Sequence, residues 1–278
     1  TLTARVNALK PGSYDLPARI TLPSLVRMLH AGGHDPNELV FTIPEGWDLR
    51  DIGISLERSG VMRATEFWAV AGEPAADYQS SRARSRPHEF SDEFLFLADK
   101  PAHVGLEGYL FPDTYRILRG ASATDTVRTM LANFEQELSP DLRGEINRQG
   151  KSVFAVITVA SLIEKEVRLP HDRRIVADIL WKRLALGMPL QVDASINYVT
   201  GKHATPTAVE LAIDSAYNTY RYPGLPRGPI ANPGIDAIQA AIHPEVSDYL
   251  YYLSTLDGNT IFSKTLEEHR QARTRSGR

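Results

Sequence analysis

The sequence predicts an α+β fold, with a small mixed lobe followed by a mainly helical one, and three observations carry that expectation. Apolar residues recur at helical spacing through most of the chain after Ser122. Capping residues and prolines stand where those stretches begin. Short β signals lie near both ends: Leu39 to Ile43 running into the Pro44-Glu45-Gly46 turn, and two runs flanking Asp257-Gly258-Asn259.

Taken in order, Leu22-Pro23-Ser24 opens a helix with the apolar face Leu25, Val26, Met28 and Leu29, and Gly32-Gly33 stops it. After the first strand, Asp48 caps a helix carrying Ile52, Ile54 and Leu56, because a short oxygen side chain can accept the free amides of a first turn. Thr65 opens another through Phe67, Trp68 and Val70. Ala75 to Arg86 is polar and arginine-rich and reads as a surface loop. Glu107 to Tyr115 mixes aromatics with Gly108, Pro112 and Asp113 and predicts a strand with a tight turn. Thr124 to Leu138 is an amphipathic helix, Ser139-Pro140 places a cap before a proline in the first helical position, and a further helix covers Val153 to Leu169. His171 to Leu186 forms the next, ended by Gly187 and Pro189. Residues 215 to 234 are mostly loop, stiffened by Pro223, Pro226, Pro229 and Pro233. Leu250 to Leu253 and Thr260 to Phe262 form a hairpin, and Ser263 caps a closing helix.

Composition bounds the function. A chain of 278 residues suits one or two domains, and 42% hydrophobic residues are enough for a buried core. The net charge of -3, with both signs mixed along the chain, offers no basic stripe for nucleic acid. The absence of cysteine removes thiol nucleophiles, zinc fingers, iron–sulfur clusters and disulfides. The longest apolar stretch, Val153 to Ile163, is shorter than the roughly 20 residues of a membrane helix. No His-Glu-x-x-His, glycine-rich nucleotide loop or Ser-x-x-Lys nucleophile is present, so no metal or organic cofactor is implied.

Glu164 is the strongest candidate for chemistry. Ile157, Ala160, Ser161 and Glu164 share one helix face, so the carboxyl continues an apolar stripe and loses solvent. It also sits near a helix C-terminus, where the macrodipole disfavours negative charge. Both effects favour a protonated acid, the form that glycosidic cleavage needs. The competing reading is a helix-end ion pair with Arg168, one turn on. A second feature is the run from Ser215 to Pro226, in which Tyr217, Tyr220 and Tyr222 alternate with Asn218 and Thr219. Rings for apolar sugar faces and polar tips for hydroxyls suit a glycan groove, and a self-packed surface loop is the plainer alternative. Gln191, Asp193, Ser195 and Asn197 alternate with apolar neighbours and fit either an extended polar edge or a capped helix start.

Ordered blocks extend this picture: Glu107-Gly108-Tyr109-Leu110-Phe111-Pro112-Asp113-Thr114-Tyr115, Ala160-Ser161-Leu162-Ile163-Glu164-Lys165-Glu166, Leu190-Gln191-Val192-Asp193, Tyr217-Asn218-Thr219-Tyr220 with Gly224-Leu225-Pro226, and Ile230-Ala231-Asn232-Pro233-Gly234. Phe262-Ser263 with His269 closes the series. In this order they resemble the endolytic murein transglycosylases, the MltG or YceG-like family. Lys10-Pro11-Gly12-Ser13-Tyr14 and Ile43-Pro44-Glu45-Gly46 look like that family's LysM-like region, more loosely.

The resemblance implies a LysM-like glycan-binding lobe over 1–75, incomplete at its start, a linker or surface loop over 76–105, and a catalytic domain over 106–278. It implies Glu164 as the catalytic residue, cleaving peptidoglycan to leave 1,6-anhydro ends. Candidates for holding the sugar are Glu107, Gln191, Asp193, Tyr217, Asn218, Tyr220 and Asn232, with Glu107 lining the groove or bracing it. The groove is expected between the end of Glu164's helix and the Tyr217 to Pro233 loop. Wall glycan strands are the implied substrate and peptidoglycan synthases the implied partners. The implied location is the extracytoplasmic face of the bacterial inner membrane, through an N-terminal anchor that this chain lacks. A water-adding muramidase using Asp193 or Glu107 as second carboxylate, and a non-catalytic wall-binding protein, are the alternatives.

Overall fold

A computed structural model of the chain describes residues 14, 16–31, 37–79, 86–255 and 258–276. Lys10 to Ser13, the Gly32-Gly33 stop, residues 80–85 of the arginine-rich loop and Asp257 of the hairpin turn lie outside these. The elements are α1 (Leu22–Ala31), β1 (Glu38–Thr42), α2 (Leu49–Arg58), α3 (Ala64–Ala71), a 3-10 turn (Leu95–Leu97) and β2 (Thr114–Leu118). Then come α4 (Ala123–Glu137), α5 (Pro140–Arg148), α6 (Val153–Glu166), α7 (Pro170–Ala185), α8 (Asp193–Thr200), α9 (Ala208–Leu211) and α10 (Ile235–Ile242). The hairpin β3 (Tyr251–Ser254) and β4 (Thr260–Ser263) and the closing α11 (Leu266–Arg275) complete the order. Mainly helical, with two short antiparallel sheets among the described residues, the protein is α+β.

The caps follow the sequence closely in some places. Asp48 accepts the Asp51 amide while Asp51 reaches back to the Asp48 amide, a reciprocal cap for α2. Ser122, Ser139 and Ser152 each accept an amide in the first turn of α4, α5 and α6. Elsewhere the expectation is corrected. Thr265, not Ser263, caps α11, since Ser263 is still pairing with Tyr251 across the hairpin. Asp193 is the first helical residue of α8 and Val192 stands at the cap. The strand expected over Glu107 to Tyr115 begins only at Thr114.

β1 pairs antiparallel with β2, with Phe41 opposite Tyr115. This pairing joins a strand from the expected first lobe to one from the expected catalytic domain. Between them in sequence lie α2, α3 and the 72–113 segment, so residues 38–118 form a β-α-α-β unit with a long insertion. One hydrophobic core runs from Phe41 in β1 to Ile242 in α10 and includes Phe96, Tyr109 and Phe134, whose rings stack or tilt against one another. At its centre α6 is apolar on every side, as a helix surrounded by others must be. It touches α5, α7, α8, α10 and the 3-10 turn. Among the described residues no helix is long and apolar enough to cross a membrane.

Candidate active site

Helix α6 presents Glu164 by being clamped at its N-terminus and broken just past it. Asp99 accepts the Val153 and Phe154 amides at 2.6 and 3.2 Å, placing a negative charge where the macrodipole is positive. At the other end Val167 turns extended, and Pro170 restarts the chain as α7. The sharp return brings Arg173, in the first turns of α7, back under Glu164.

The Glu164 side chain is 6% exposed and that of Arg173 is 9% exposed. Arg173 Nη2 donates to Glu164 Oε1 at 2.8 Å, and its Nε donates to the Val167 carbonyl at 3.0 Å. The Gly234 amide donates to Oε2 at 3.1 Å. Arg168, the partner expected from helical spacing, is exposed and lines the cleft instead. Burial is the largest influence on the Glu164 carboxyl and pushes its pKa up. Arg173 and the Gly234 amide pull it down, and the charge of Glu45 adds to the rise; the net shift is upward.

The next two residues fix the helix end to other elements. Lys165 Nζ donates to the Gly46 carbonyl at 3.0 Å, tying α6 to the turn after β1. Glu166 Oε1 accepts the Ala194 amide at 3.3 Å, and its carbonyl accepts Ser254 Oγ at 3.0 Å, joining α8 and β3. Ser161, on the inner face, accepts the Ile230 amide at 3.0 Å and donates to the Thr158 carbonyl at 2.8 Å. The loop leading to Gly234 is thereby pinned along α6.

Glu107 is fully buried and braces this loop from behind. Its carboxylate accepts from the Leu49 amide, the Tyr198 hydroxyl and Asn232 Nδ2, each at 3.0 Å. Asn232 in turn accepts the Gly108 and Leu110 amides on Oδ1 at 3.0 Å and donates to the Trp47 carbonyl at 3.0 Å. Those two amides would otherwise feed a sheet, which is why no strand forms there. Gly108 is needed at φ +88, since a Cβ there would come within 2.5 Å of Pro229. Burial pushes the Glu107 carboxyl well up, the charge of Asp48 adds to this, and the Leu49 amide and Tyr198 hydroxyl oppose it.

The remaining sequence candidates divide into two groups. Asp193 lies at the start of α8 beside Glu166 and accepts the Tyr220 hydroxyl. Gln191 is exposed, in the left-handed region at φ +53, with its amide on the Thr219 carbonyl at 3.1 Å. Asp193 and Tyr220 stand near Glu166 at the end of α6, Gln191 sits with the Thr219 loop, and none of the three lines the cleft at Glu164. Tyr217, Asn218, Asn232 and Glu107 are instead buried. Asn218 spends its amide on the Leu211 and Ile213 carbonyls and its oxygen on the Tyr220 and Arg221 amides. Tyr217 packs edge-on against Tyr198, with ring centroids 5.0 Å apart. Their chemistry is turned inward, holding the loops.

A cleft of about 240 Å3 opens at Glu164, lined by Lys165, Val167, Arg168, Ser254 and Thr260. Its far wall is the β3–β4 hairpin, not the Tyr217 to Pro233 loop as expected from sequence. That loop lines a larger cleft of about 760 Å3 with Phe154, His103 and Arg227. Phe154 lies ten residues before Glu164, so the two clefts sit roughly 15 Å apart along α6 at about 1.5 Å per residue. Sequence reasoning missed Arg173, Gly234 and Glu45. Arg173 is on the next helix, outside the sequence blocks, whereas Glu45 and Gly234 fall inside the Ile43 to Gly46 and Ile230 to Gly234 blocks, which carry no hint that the two meet beside Glu164.

These features define a class: an α+β protein with a buried carboxyl, Glu164, at the edge of a polar cleft and a loop amide aimed at it. The chain belongs to the YceG-like family, whose pattern matches residues 1–275. It is 41% identical over 170 residues to an endolytic murein transglycosylase of Bacillus subtilis (strain 168), covering 60% of this chain and 47% of the relative. It is 33% identical over 277 residues to an endolytic murein transglycosylase of Streptococcus pneumoniae serotype 2 (strain D39), covering 94% of this chain and 49% of the relative. The chain spans about half the length of the curated relatives it matches. A crystal structure of a YceG-like protein from Listeria monocytogenes superposes with a TM-score of 0.73 at 31% identity, covering 97% of this chain and 88% of that one.

Proposed function

We propose that this chain cleaves peptidoglycan glycan strands internally as a lytic transglycosylase, with Glu164 as its acid and then its base. The observation that carries this reading is the buried Glu164 carboxyl, shifted upward and open to a polar cleft, in a chain similar to proteins named endolytic murein transglycosylases. Protonated Glu164 gives its proton to the oxygen bridging N-acetylmuramic acid and N-acetylglucosamine, and that C–O bond breaks with oxocarbenium character on the muramic sugar. The Glu164 carboxylate then takes the proton of the C6 hydroxyl as that oxygen attacks the anomeric carbon, closing a 1,6-anhydro ring. An intramolecular nucleophile needs no positioned water and no second carboxylate, so Glu164 can serve as both acid and base. Arg173 and the Gly234 amide hold the carboxyl in place and are ready to stabilise it once it has lost its proton.

Gln191, Asp193 and Tyr220 are the residues proposed to meet the sugar. Glu107, Tyr217, Asn218 and Asn232 serve the same site by fixing the loops that carry Gly234 and Tyr220. The LysM-like glycan-binding role is proposed for residues 1–75, which supply β1, α2 and α3 beside the catalytic part. On the same reading the enzyme works outside the cytoplasmic membrane, on murein strands made by synthases beside it.

The test is digestion of purified glycan by the parent and by Glu164→Gln, with products read by mass spectrometry. Internal fragments with 1,6-anhydro-muramic ends from the parent alone are expected. Reducing ends would make it a hydrolase, and equal cleavage by the variant would remove Glu164 from the chemistry.

A further inference from the structure

Glu45 takes no part in the steps above, yet it stands against the site. Its carboxylate packs on the Cα of Gly234: a Cβ placed there would lie 2.0 Å from Glu45 Oε1 and 2.2 Å from its Cδ. The amide of the same glycine donates to Glu164 Oε2 at 3.1 Å. Gly234 therefore separates two carboxyl groups, one on its amide and one on its Cα, and any larger residue would push them apart. The two differ in surroundings. Glu164 is buried and bonded, whereas Glu45 is exposed and, among the described residues, has neither hydrogen bond nor ion pair. Lys165, whose stem also packs near this turn, places its ammonium on the Gly46 carbonyl at 3.0 Å.

Resting on the reading of Glu164 as the acid, we propose that Glu45 is a positioning residue for cleavage, whose negative charge across Gly234 keeps the proton on Glu164 until the glycosidic oxygen takes it. The surrounding charges make this a balance. From α7, Arg173 touches Glu164 and draws its proton away. From α6 and the residue pair after it come Lys165, Glu166 and Arg168, of which Glu166 is turned to α8. The start of α8 brings Asp193, the first turn of α10 brings Asp236, and the hairpin side of the cleft, Ser254, Thr255, Gly258 and Thr260, is uncharged. Glu45 opposes Arg173 from the far side of one glycine. Its charge raises the proton affinity of Glu164 in the folded chain, in the direction the geometry requires.

The experiment is a 13C carboxyl NMR titration of the whole chain, with the Glu164 resonance identified by its loss in Glu164→Gln. In Glu45→Gln the Glu164 midpoint is expected to fall by at least about half a pH unit, roughly a threefold loss of proton affinity. Glu45→Asp, which restores the charge, returns the midpoint most of the way toward the parent value. In glycan digestion the alkaline limb of the Glu45→Gln activity profile moves to lower pH by the same amount, with KM unchanged. Melting curves establish that each variant is folded, as expected for an exposed position. A Glu164 midpoint that stays put in Glu45→Gln overturns the proposal, as does a Glu45→Asp variant that behaves like Glu45→Gln. A parent that cleaves no glycan overturns the catalytic reading of Glu164 instead, because the titration reads the coupling without turnover.

Discussion

Glu164 and Asn218 illustrate what a residue's chemistry says before its neighbours are known. A carboxyl continuing the stripe of Ile157, Ala160 and Ser161 is desolvated in any helix that packs on that face, so its perturbed state is legible from spacing alone. Its partner is not, because Arg173 is nine residues on and reaches Glu164 only after the break at Val167. Asn218 and Asn232 look like sugar ligands in sequence, but an amide that can grip hydroxyls can equally grip backbone. Both are spent on carbonyls and amides of their own chain. The raised pKa of Glu164 has a consequence for stability. The fold favours its protonated form, so the contribution is full below the ordinary value of 4.5 and is lost as pH rises through the folded value. Glu164→Gln, which cannot ionise, is therefore expected to gain stability relative to the parent as pH climbs through that window. Urea midpoints over a pH series check it, and a difference that stays flat with pH contradicts it.

Among the elements, the largely apolar α6, the capped α2 and the β3–β4 hairpin are readable because their signals are local: a cap, a period, a turn dipeptide. The segment from Glu107 to Asp113 was not. Its aromatics suggest a strand, but its amides are taken by a side chain 122 to 124 residues away, which no window of sequence contains. Helix α10 follows the proline-rich loop directly, and Ile235, Ile238 and Ile242 give it a plain apolar face against α6 and α7. Between α10 and α6, Ser161 is the tie that holds the Ile230 to Gly234 loop. Ser161→Ala leaves the buried Ile230 amide without an acceptor and is expected to lower stability by about 1–3 kcal/mol. Glycan cleavage should fall with it, more than the loss of folded protein accounts for, because Gly234 is no longer held on Glu164. Denaturant melts alongside initial rates at a temperature where both proteins are fully folded separate the two effects.

For the molecule as a whole, the division into residues 1–75, 76–105 and 106–278 meets a single core running from Phe41 to Ile242 and a sheet whose two strands come from either side of the linker. A fragment of residues 106–278 would expose Tyr115 and Ile117 on an unpaired β2 and strip Glu107 of the Leu49 amide. It is expected not to fold cooperatively, whereas the full chain should lose helix signal and aromatic fluorescence in one coincident transition. Two separated transitions would mean that the lobes are independent. The same pairing bears on how the chain is made. Thr42 meets Thr114 across the sheet, 72 residues later in sequence. At about 5–20 residues per second, a nascent β1 waits roughly 4–14 s for its partner to leave the ribosome, with its edge open to other chains in the meantime. Slower translation through residues 72–113 lengthens that wait, so codon usage in this stretch bears on how much protein reaches the folded state.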